Sequence, residues 1–398
     1  MLSDRFSLTM RVLHTVETFL DIAENWIYPQ ITRVPGVEGR VICNAVENLE
    51  AFPMDKKSLT VHPPPWDRAF GAPRFLNAVA RRLGRGGEVL ALKARMWRPR
   101  VLHAHFGPCG WGSLALKKRL DVPLITSFYG YDAWLLPAAE PVWRQRYEEL
   151  FSFGEFFLVE GPAMRDRLVE LGCPADKARI HRIGVDLSRL PFEARDFSGG
   201  LKIAMVGRFV EKKGLLDGLH ACARASARGA KLSVTVIGDA VAGDAAGRRI
   251  KEELQRTAER PALAGRVRFT GFLPVEQTRS LLAAHNVLLC PSRQAANGDA
   301  EGGSPVVLTE VMALGLLCIG TRHCDIPEII LDDETGYLCN EGDVAAMADV
   351  LCALDHDPGK LATLAAAGRK HVERNFSLLT QLNRVHSIYS SLPHETNH

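Results

Sequence analysis

No stretch of this 398-residue chain approaches the roughly 18 to 20 uncharged apolar residues that a membrane-spanning helix needs. The opening MLSDRFSLTMRV has no basic region leading into an apolar run, so a cytoplasmic location is the expectation. The nine cysteines are scattered, with no C-x-x-C pair and no secretory signal to place them in an oxidising compartment, so reduced, mostly buried thiols are the expectation. A formal net charge of +3 is too small to suggest a nucleic-acid partner. Neither low complexity nor an internal repeat is visible. No G-x-G-x-x-G follows the first strand of either half, which counts against a nicotinamide-dependent dehydrogenase.

The chain is 46% apolar and 24% charged, the balance of a globular protein, and its length favours two domains. Charge is unevenly placed. Between Arg68 and Arg100 nine basic residues (Arg68, Arg74, Arg81, Arg82, Arg85, Lys93, Arg95, Arg98 and Arg100) meet one acid, Glu88. Interleaved with Leu83, Leu90, Leu92, Met96 and Trp97, they suit a solvated basic helix face, or a face held against anionic headgroups or a pyrophosphate.

Short apolar or β-branched runs alternate with helical patterns throughout, as parallel sheets flanked by helices require. The runs fall at 11–17, 39–45, 101–106, 123–129 and 156–161, then at 202–208, 232–238, 267–271, 287–292 and 317–321. The turn-rich stretch 183–200 reads as the linker. The expected organisation is α/β: domains over 1–192 and 193–376, then a helix and tail over 377–398. Two such sheets facing across a cleft would bind ligands at the carboxyl ends of their strands.

The chemistry-bearing residues sit at strand ends. The run IAMVGR leads into FVEKKG, where Gly207 permits close approach and Arg208 and Lys213 can converge on one pyrophosphate, the first as a planar fork and the second as a point charge. An Arg and a Lys in a loop are equally at home in solvent. In GDAEGGSPVVLTEVMALG (298–315) a Gly-rich loop opens a helix, with Ser304 as expected N-cap and Pro305 as first helical residue. Gly302 and Gly303 allow backbone approach to an anion at the helix's positive end, and Glu301 and Glu310 flank it in position to contact hydroxyls. His103 and His105 alternate along a strand and point the same way; two histidines without a third ligand are weak evidence for metal. His105, nearer the strand's end, is the better ligand-facing candidate.

Taken together, TFLDIAENWIYPQI (18–31), HAHFG (103–107), TSFYGYD (126–132), IGVD (183–186), VGRFVEKKG (206–214), IGD (237–239), GDAEGGSPVVLTEVMALG (298–315) and DIPEIILDDETGYL (325–338) resemble glycosyltransferase family 4, in particular its colanic-acid and exopolysaccharide branch. They span nearly the whole chain in the family's order. The resemblance implies a GT-B fold of two Rossmann-like domains, the C-terminal helix returning to the first, and a nucleotide-diphosphate sugar donor held by the second. It further implies transfer with retained configuration by front-face displacement, without metal or other cofactor. Arg208 and Lys213 would hold the diphosphate, Glu310 the ribose hydroxyls and Glu301 the donor sugar, with Gly207 and Gly238 beside them; His105 and Tyr129 would lie near the reacting centre. The acceptor would be a saccharide, free or lipid-linked, at the inner face of a membrane.

Two positions depart from the family pattern. Eight residues, Gly302 through Thr309, separate Glu301 from Glu310 where seven are usual, so Gly302 falls at the usual first-glutamate position. Tyr129 stands where many relatives carry a histidine; it can hydrogen-bond but cannot act as a base near neutral pH. These departures keep alternatives in view: a binding protein that lost its chemistry, or another GT-B activity such as a phosphorylase or epimerase.

Overall fold

A computed structural model describes residues 9–61 and 86–393. The part of the basic stretch from Arg68 to Arg85 lies outside the described residues. The chain forms two compact units: Met1–Val159 with Arg165–Arg182 and Leu379–His398, and Glu160–Met164 with Ile183–Leu378. The crossing falls at Arg182–Ile183, ahead of the 192/193 boundary read from composition. Within 183–200, Val185, Leu190 and Phe197 are buried in cores of the second unit, so that stretch belongs to the unit it precedes.

The first unit carries β1 Met10–Thr15, β2 Thr18–Phe19, β3 Val37–Cys43, β4 Ala45–Val46, β5 Leu59–Val61, β6 Val101–His105, β7 Leu124–Ser127, β8 Phe156–Val159 and β9 Ala178–Ile180. Seven of them make one sheet in the order β5-β3-β1-β6-β7-β8-β9, and β2 pairs with β4 apart. The second unit carries β10 Leu201–Val206, β11 Leu232–Ile237, β12 Val267–Phe269, β13 Val287–Cys290, β14 Leu317–Thr321 and β15 Gly336–Cys339, ordered β12-β11-β10-β13-β14-β15. These strands pair with one another in parallel throughout. Helices cover both faces of such sheets, which explains why β6, β7, β13 and β14 are buried at every residue. On β10, Ile203 and Met205 enter one core, and Ala204 and Val206 face the core on the other side. The short strands β5, β9 and β15 fall outside the runs read from the sequence.

Each sheet reverses its strand order once, between β1 and β6 and between β10 and β13. Adjacent connections there leave on opposite faces, opening a crevice at the carboxyl edge. The C-terminal helix Leu378–Ser391 returns its residues from Leu379 onward to the first unit. There Tyr389, fully buried, bonds His103 at 2.6 Å.

Candidate active site

In the second unit, Gly207 and Arg208 follow β10 and Pro291 and Ser292 follow β13, on the two sides of the reversal. The turn Glu211–Lys213 closes on Gly214 in a left-handed conformation (φ +58°). A Cβ on Gly214 would stand 1.8 Å from the Pro291 carbonyl oxygen, so the turn presses directly on the end of β13. That contact brings Lys213 to Glu301: Nζ donates to Oε2 at 2.8 Å, and the Ser292 hydroxyl donates to Oε1 at 2.6 Å. Burial alone would raise the Glu301 carboxyl. The Lys213 charge, its hydrogen bond, that of Ser292 and the nearby Lys212 together hold it below its ordinary range.

Arg208 is exposed and makes no ion pair among the described residues. The structure thus places one committed and one uncommitted cation at the reversal. Glu310, on the helix Val306–Leu314, accepts from Arg279 at 2.7 Å. Gly238 directly follows β11 with a positive φ of 133°, and a Cβ there would lie 1.9 Å from the Gly207 carbonyl oxygen.

Two expectations for the Gly-rich loop change. Ser304 does not cap the helix, which begins one residue later than expected, after Pro305; its hydroxyl donates instead to the Asp325 carbonyl at 2.5 Å. Close approach at Gly303 is taken up by protein, since a Cβ there would meet Glu160 Oε2 at 2.1 Å. Gly302 is buried in a left-handed conformation (φ +85°) with its amide on the Cys324 sulfur.

The supports that sequence reasoning missed are Lys212, Ser292, Arg279 and Asp299. Lys212 is buried and bonds Asp299 Oδ1 at 3.0 Å and the Ala300 carbonyl at 2.9 Å, pinning the loop. His323 accepts from the Glu301 amide at 3.2 Å and donates to Glu341 at 2.7 Å, which fixes its proton on Nδ1.

In the first unit, β1 and β6 pair with His14 opposite His103, and His105 lies two residues on. All three rings are fully buried. Burial drives the His14 imidazole down to about 3 and holds His103 and His105 well below their ordinary value, so all are neutral. His103 bonds Tyr389 and Ser127. His105 Nδ1 bonds the Tyr129 hydroxyl at 2.8 Å, and its Nε2 meets His14 Nδ1 at 3.1 Å. His105 is therefore sealed beneath Tyr129 rather than open to a ligand. One nitrogen from each ring lies within 4.8 Å of the others. Neutral imidazoles can ligate a metal, but His14 stacks on His105 at 15° and His103 on His105 at 29°, with His14 and His103 tilted at 41°, so the lone pairs of His105 lie in a plane close to parallel with those of both neighbours.

The first unit also holds a solvent-accessible hollow of about 140 Å³, lined by Glu17, Asp21, Glu24, Glu47, Phe106 and Tyr131. Burial, then the charges of Asp21, Glu17 and Asp132, push Glu24 up to about 7. Asp132 itself accepts from the Gly107, Tyr129 and Gly130 amides, which orients the loop after β7. Burial outweighs those bonds and raises its carboxyl to about 6. The sequence signal for this carboxylate ring was its clustering after β1, visible only once β1 was placed at the reversal.

Comparison with known proteins gives the arrangement its family. Residues 35–189 match the model described as Glycosyltransferase Family 4, and residues 200–357 the model described as Glycosyl transferases group 1. WcaL of Escherichia coli K12, a glycosyltransferase named for colanic acid biosynthesis, is 31% identical over 71% of this chain and 68% of its own length. The amylovoran biosynthesis glycosyltransferase AmsK of Erwinia amylovora is 31% identical over 73% and 69%. Among solved structures, Anabaena HepE in complex with UDP and glucose superposes with a TM-score of 0.77 at 18% identity, covering 96% of this chain and all (100%) of HepE. Both reversal points thus lie in the two Rossmann-like domains of a GT-B fold, and this chain belongs to glycosyltransferase family 4.

Proposed function

We propose that this glycosyltransferase takes its sugar from a nucleotide-diphosphate donor held by the second unit, and passes it with retained configuration to a saccharide acceptor of exopolysaccharide assembly. The carrying observation is Arg208 and Lys213 at the β10/β13 reversal, with Lys213 anchored on buried Glu301. A departing diphosphate accumulates negative charge, and fixed cations aimed at it stabilise that charge without reorganisation. Exposed Arg208 supplies a fork for the phosphate oxygens. Glu310, already a hydrogen-bond acceptor for Arg279, has the chemistry to take ribose hydroxyls as well. No protein nucleophile is needed if the leaving diphosphate's own oxygen receives the acceptor's proton. The cations that serve the diphosphate belong to the protein, so no metal is assigned a role. The relatives' names for colanic acid and amylovoran biosynthesis, and HepE structures with UDP and with UDP-glucose, support this reading.

The carboxylate-lined hollow of the first unit suits a hydroxyl-rich acceptor, because ionised carboxylates accept hydrogen bonds from sugar hydroxyls. Membrane contact at a cytoplasmic face, with a lipid-linked acceptor, is supported by the helix Gly86–Trp97. It presents Lys93 and Arg95 beside Leu92 and Met96, which are 61% and 77% exposed. No helix among the described residues is long and apolar enough to cross a membrane.

The test is a thermal-shift and mass-spectrometric screen against UDP-, GDP-, ADP- and dTDP-sugars, repeated with Arg208→Ala. Stabilisation by one nucleotide sugar, lost in the variant, is the expected result. Well-folded protein indifferent to all of them would overturn the donor assignment, and donor consumption unaffected by saccharide acceptors would point to epimerisation instead.

A further inference from the structure

A separate solvent-accessible hollow of about 560 Å³ in the first unit lies between the helix Gly86–Trp97 and the strands β1, β3 and β5. Strand alternation and register put Arg11 and Leu13 of β1 on the same sheet face as Arg40 and Ile42 of β3, and that face lines it. Leu13 and Ile42 give it an apolar floor, and Met96 and Trp97 an apolar wall. Four cations, Arg11, Arg40, Lys57 and Lys93, line it as well, and no carboxylate does.

The two arginines are committed. Glu38 lies 3.4 Å from Arg11 and 3.8 Å from Arg40. Arg11 also donates to the Trp97 carbonyl at 2.9 Å, and the Arg40 guanidinium sits 4.8 Å above the Trp97 ring, so both fasten the end of the helix to the sheet. Lys57 and Lys93 are exposed and make no ion pair among the described residues. They reach the hollow from different elements, Lys57 from the turn before β5 and Lys93 from the helix. Uncommitted charge therefore meets an apolar floor that the sheet itself supplies.

We propose that this groove is a discrete binding site for one anionic lipid, its phosphate met by Lys57 and Lys93 and the first methylenes of its chains laid on Leu13, Ile42 and Met96. An amphiphile answers both halves of the lining. A free anion leaves the floor in water, and a neutral lipid leaves the lysines with nothing to pair with. The chain's own segment 62–85 carries five arginines against the single acid Asp67, so it repeats the charge of the groove instead of complementing it. That a leaflet supplies the lipid rests on the membrane reading above, in which exposed Leu92 and Met96 enter the headgroup layer. Because Arg11 opens β1 and Lys57 precedes β5, a lipid held here leaves the carboxyl edge of the sheet free for the acceptor.

The probe is dihexanoyl phosphatidic acid, monomeric in water, titrated calorimetrically into the full-length protein, so no membrane is involved. Saturable binding at one site is expected, with dihexanoyl phosphatidylcholine and inorganic phosphate each at least about tenfold weaker. Lys57→Glu and Lys93→Glu should each weaken it about tenfold, with the melting temperature and the thermal shift by UDP-glucose unchanged. Equal affinity for inorganic phosphate, or indifference to Lys57→Glu, would overturn the proposal. So would the absence of saturable binding, and a dimer by light scattering would then give the groove to a second copy. Flotation with phosphatidylcholine vesicles, with and without phosphatidylglycerol, separates the two readings. Capture by anionic vesicles without binding of the short-chain lipid keeps the membrane reading and removes the groove. The short-chain lipid bound without vesicle capture keeps the groove and removes the membrane.

Discussion

Lys213 Nζ and the Glu301 carboxylate stand 2.8 Å apart, with the Glu301 side chain 6% exposed. The pair joins two loops that leave adjacent strands on opposite sides of the sheet's reversal. It keeps a lysine extended across a site whose other cation, Arg208, is uncommitted. Removing one partner of such a buried pair is costly, because the remaining charge is left without compensation.

Lys213→Met is therefore expected to destabilise the protein by about 3 kcal/mol at neutral pH, and Lys213→Met with Glu301→Gln to recover most of that loss. Urea denaturation of the three proteins measures both quantities. Equal stability of the wild type and the single variant would mean the pair contributes nothing.

Arg208→Ala should behave in the opposite way. An exposed arginine without an ion pair changes stability by no more than about 0.5 kcal/mol. If it faces the leaving diphosphate, turnover should fall roughly 100-fold or more. Calorimetry alongside a transfer assay separates the two, and an active Arg208→Ala enzyme would remove Arg208 from the donor site.

The second unit's site was legible because its residues are strung along loops that follow long apolar runs: VGR after β10, PSR after β13, the Gly-rich segment before a helix. What the sequence hid is pairing across elements. Nothing near Glu310 announces Arg279, 31 positions away, and Lys212 reads like its neighbour Lys213 although one pins a loop and the other reaches Glu301. Ser304 before Pro305 has an N-cap's chemistry, yet the carbonyl of Asp325 captures the hydroxyl. His14 was invisible for a related reason: only the parallel register of β1 on β6 sets it opposite His103.

Glu24 makes stability depend on pH with a definite sign. Its carboxyl is raised from 4.5 to about 7 in the fold. Between those values the folded protein holds a proton that the unfolded chain has released. Stability from this group is present at low pH and is lost as pH rises through about 7. Glu24→Gln should match the wild type near pH 4.5 and exceed it by about 1 kcal/mol at pH 8, allowing for solvent screening. A variant less stable than wild type at pH 8 would show that the charged carboxylate is held by something other than its acidic neighbours.

His181 acts with the opposite sign. Burial, opposed in part by the hydrogen bond to the Gln381 carbonyl, lowers it from 6.5 to about 4. Below pH 6.5 the unfolded chain binds a proton that the fold refuses, so stability is complete above that point and falls as pH drops toward 4. Comparing wild type with His181→Gln cancels the other titrating groups. The variant's stability should fall less steeply between pH 6.5 and 5, by up to about 1.4 kcal/mol per pH unit. Parallel curves would place the acid sensitivity elsewhere, with the histidine tower the next candidate.

Gly238 tests whether backbone approach at the end of β11 shapes the donor site. A methyl group there would meet the Gly207 carbonyl oxygen at 1.9 Å, in a residue whose φ of 133° already disfavours any side chain. Gly243 provides the control: its φ is 87°, but nothing lies within 4 Å of the added carbon. Gly243→Ala should therefore show conformational strain alone, about 1 kcal/mol. Gly238→Ala adds a backbone clash and should cost about 2–3 kcal/mol. Because Gly207 directly precedes Arg208, relief of that clash must also shift the arginine, and nucleotide-sugar stabilisation should weaken in Gly238→Ala while persisting in Gly243→Ala. Thermal shifts with and without UDP-glucose read both effects; if the two variants lose the same stability and respond alike to the nucleotide sugar, the close approach of β11 to β10 has no part in placing Arg208.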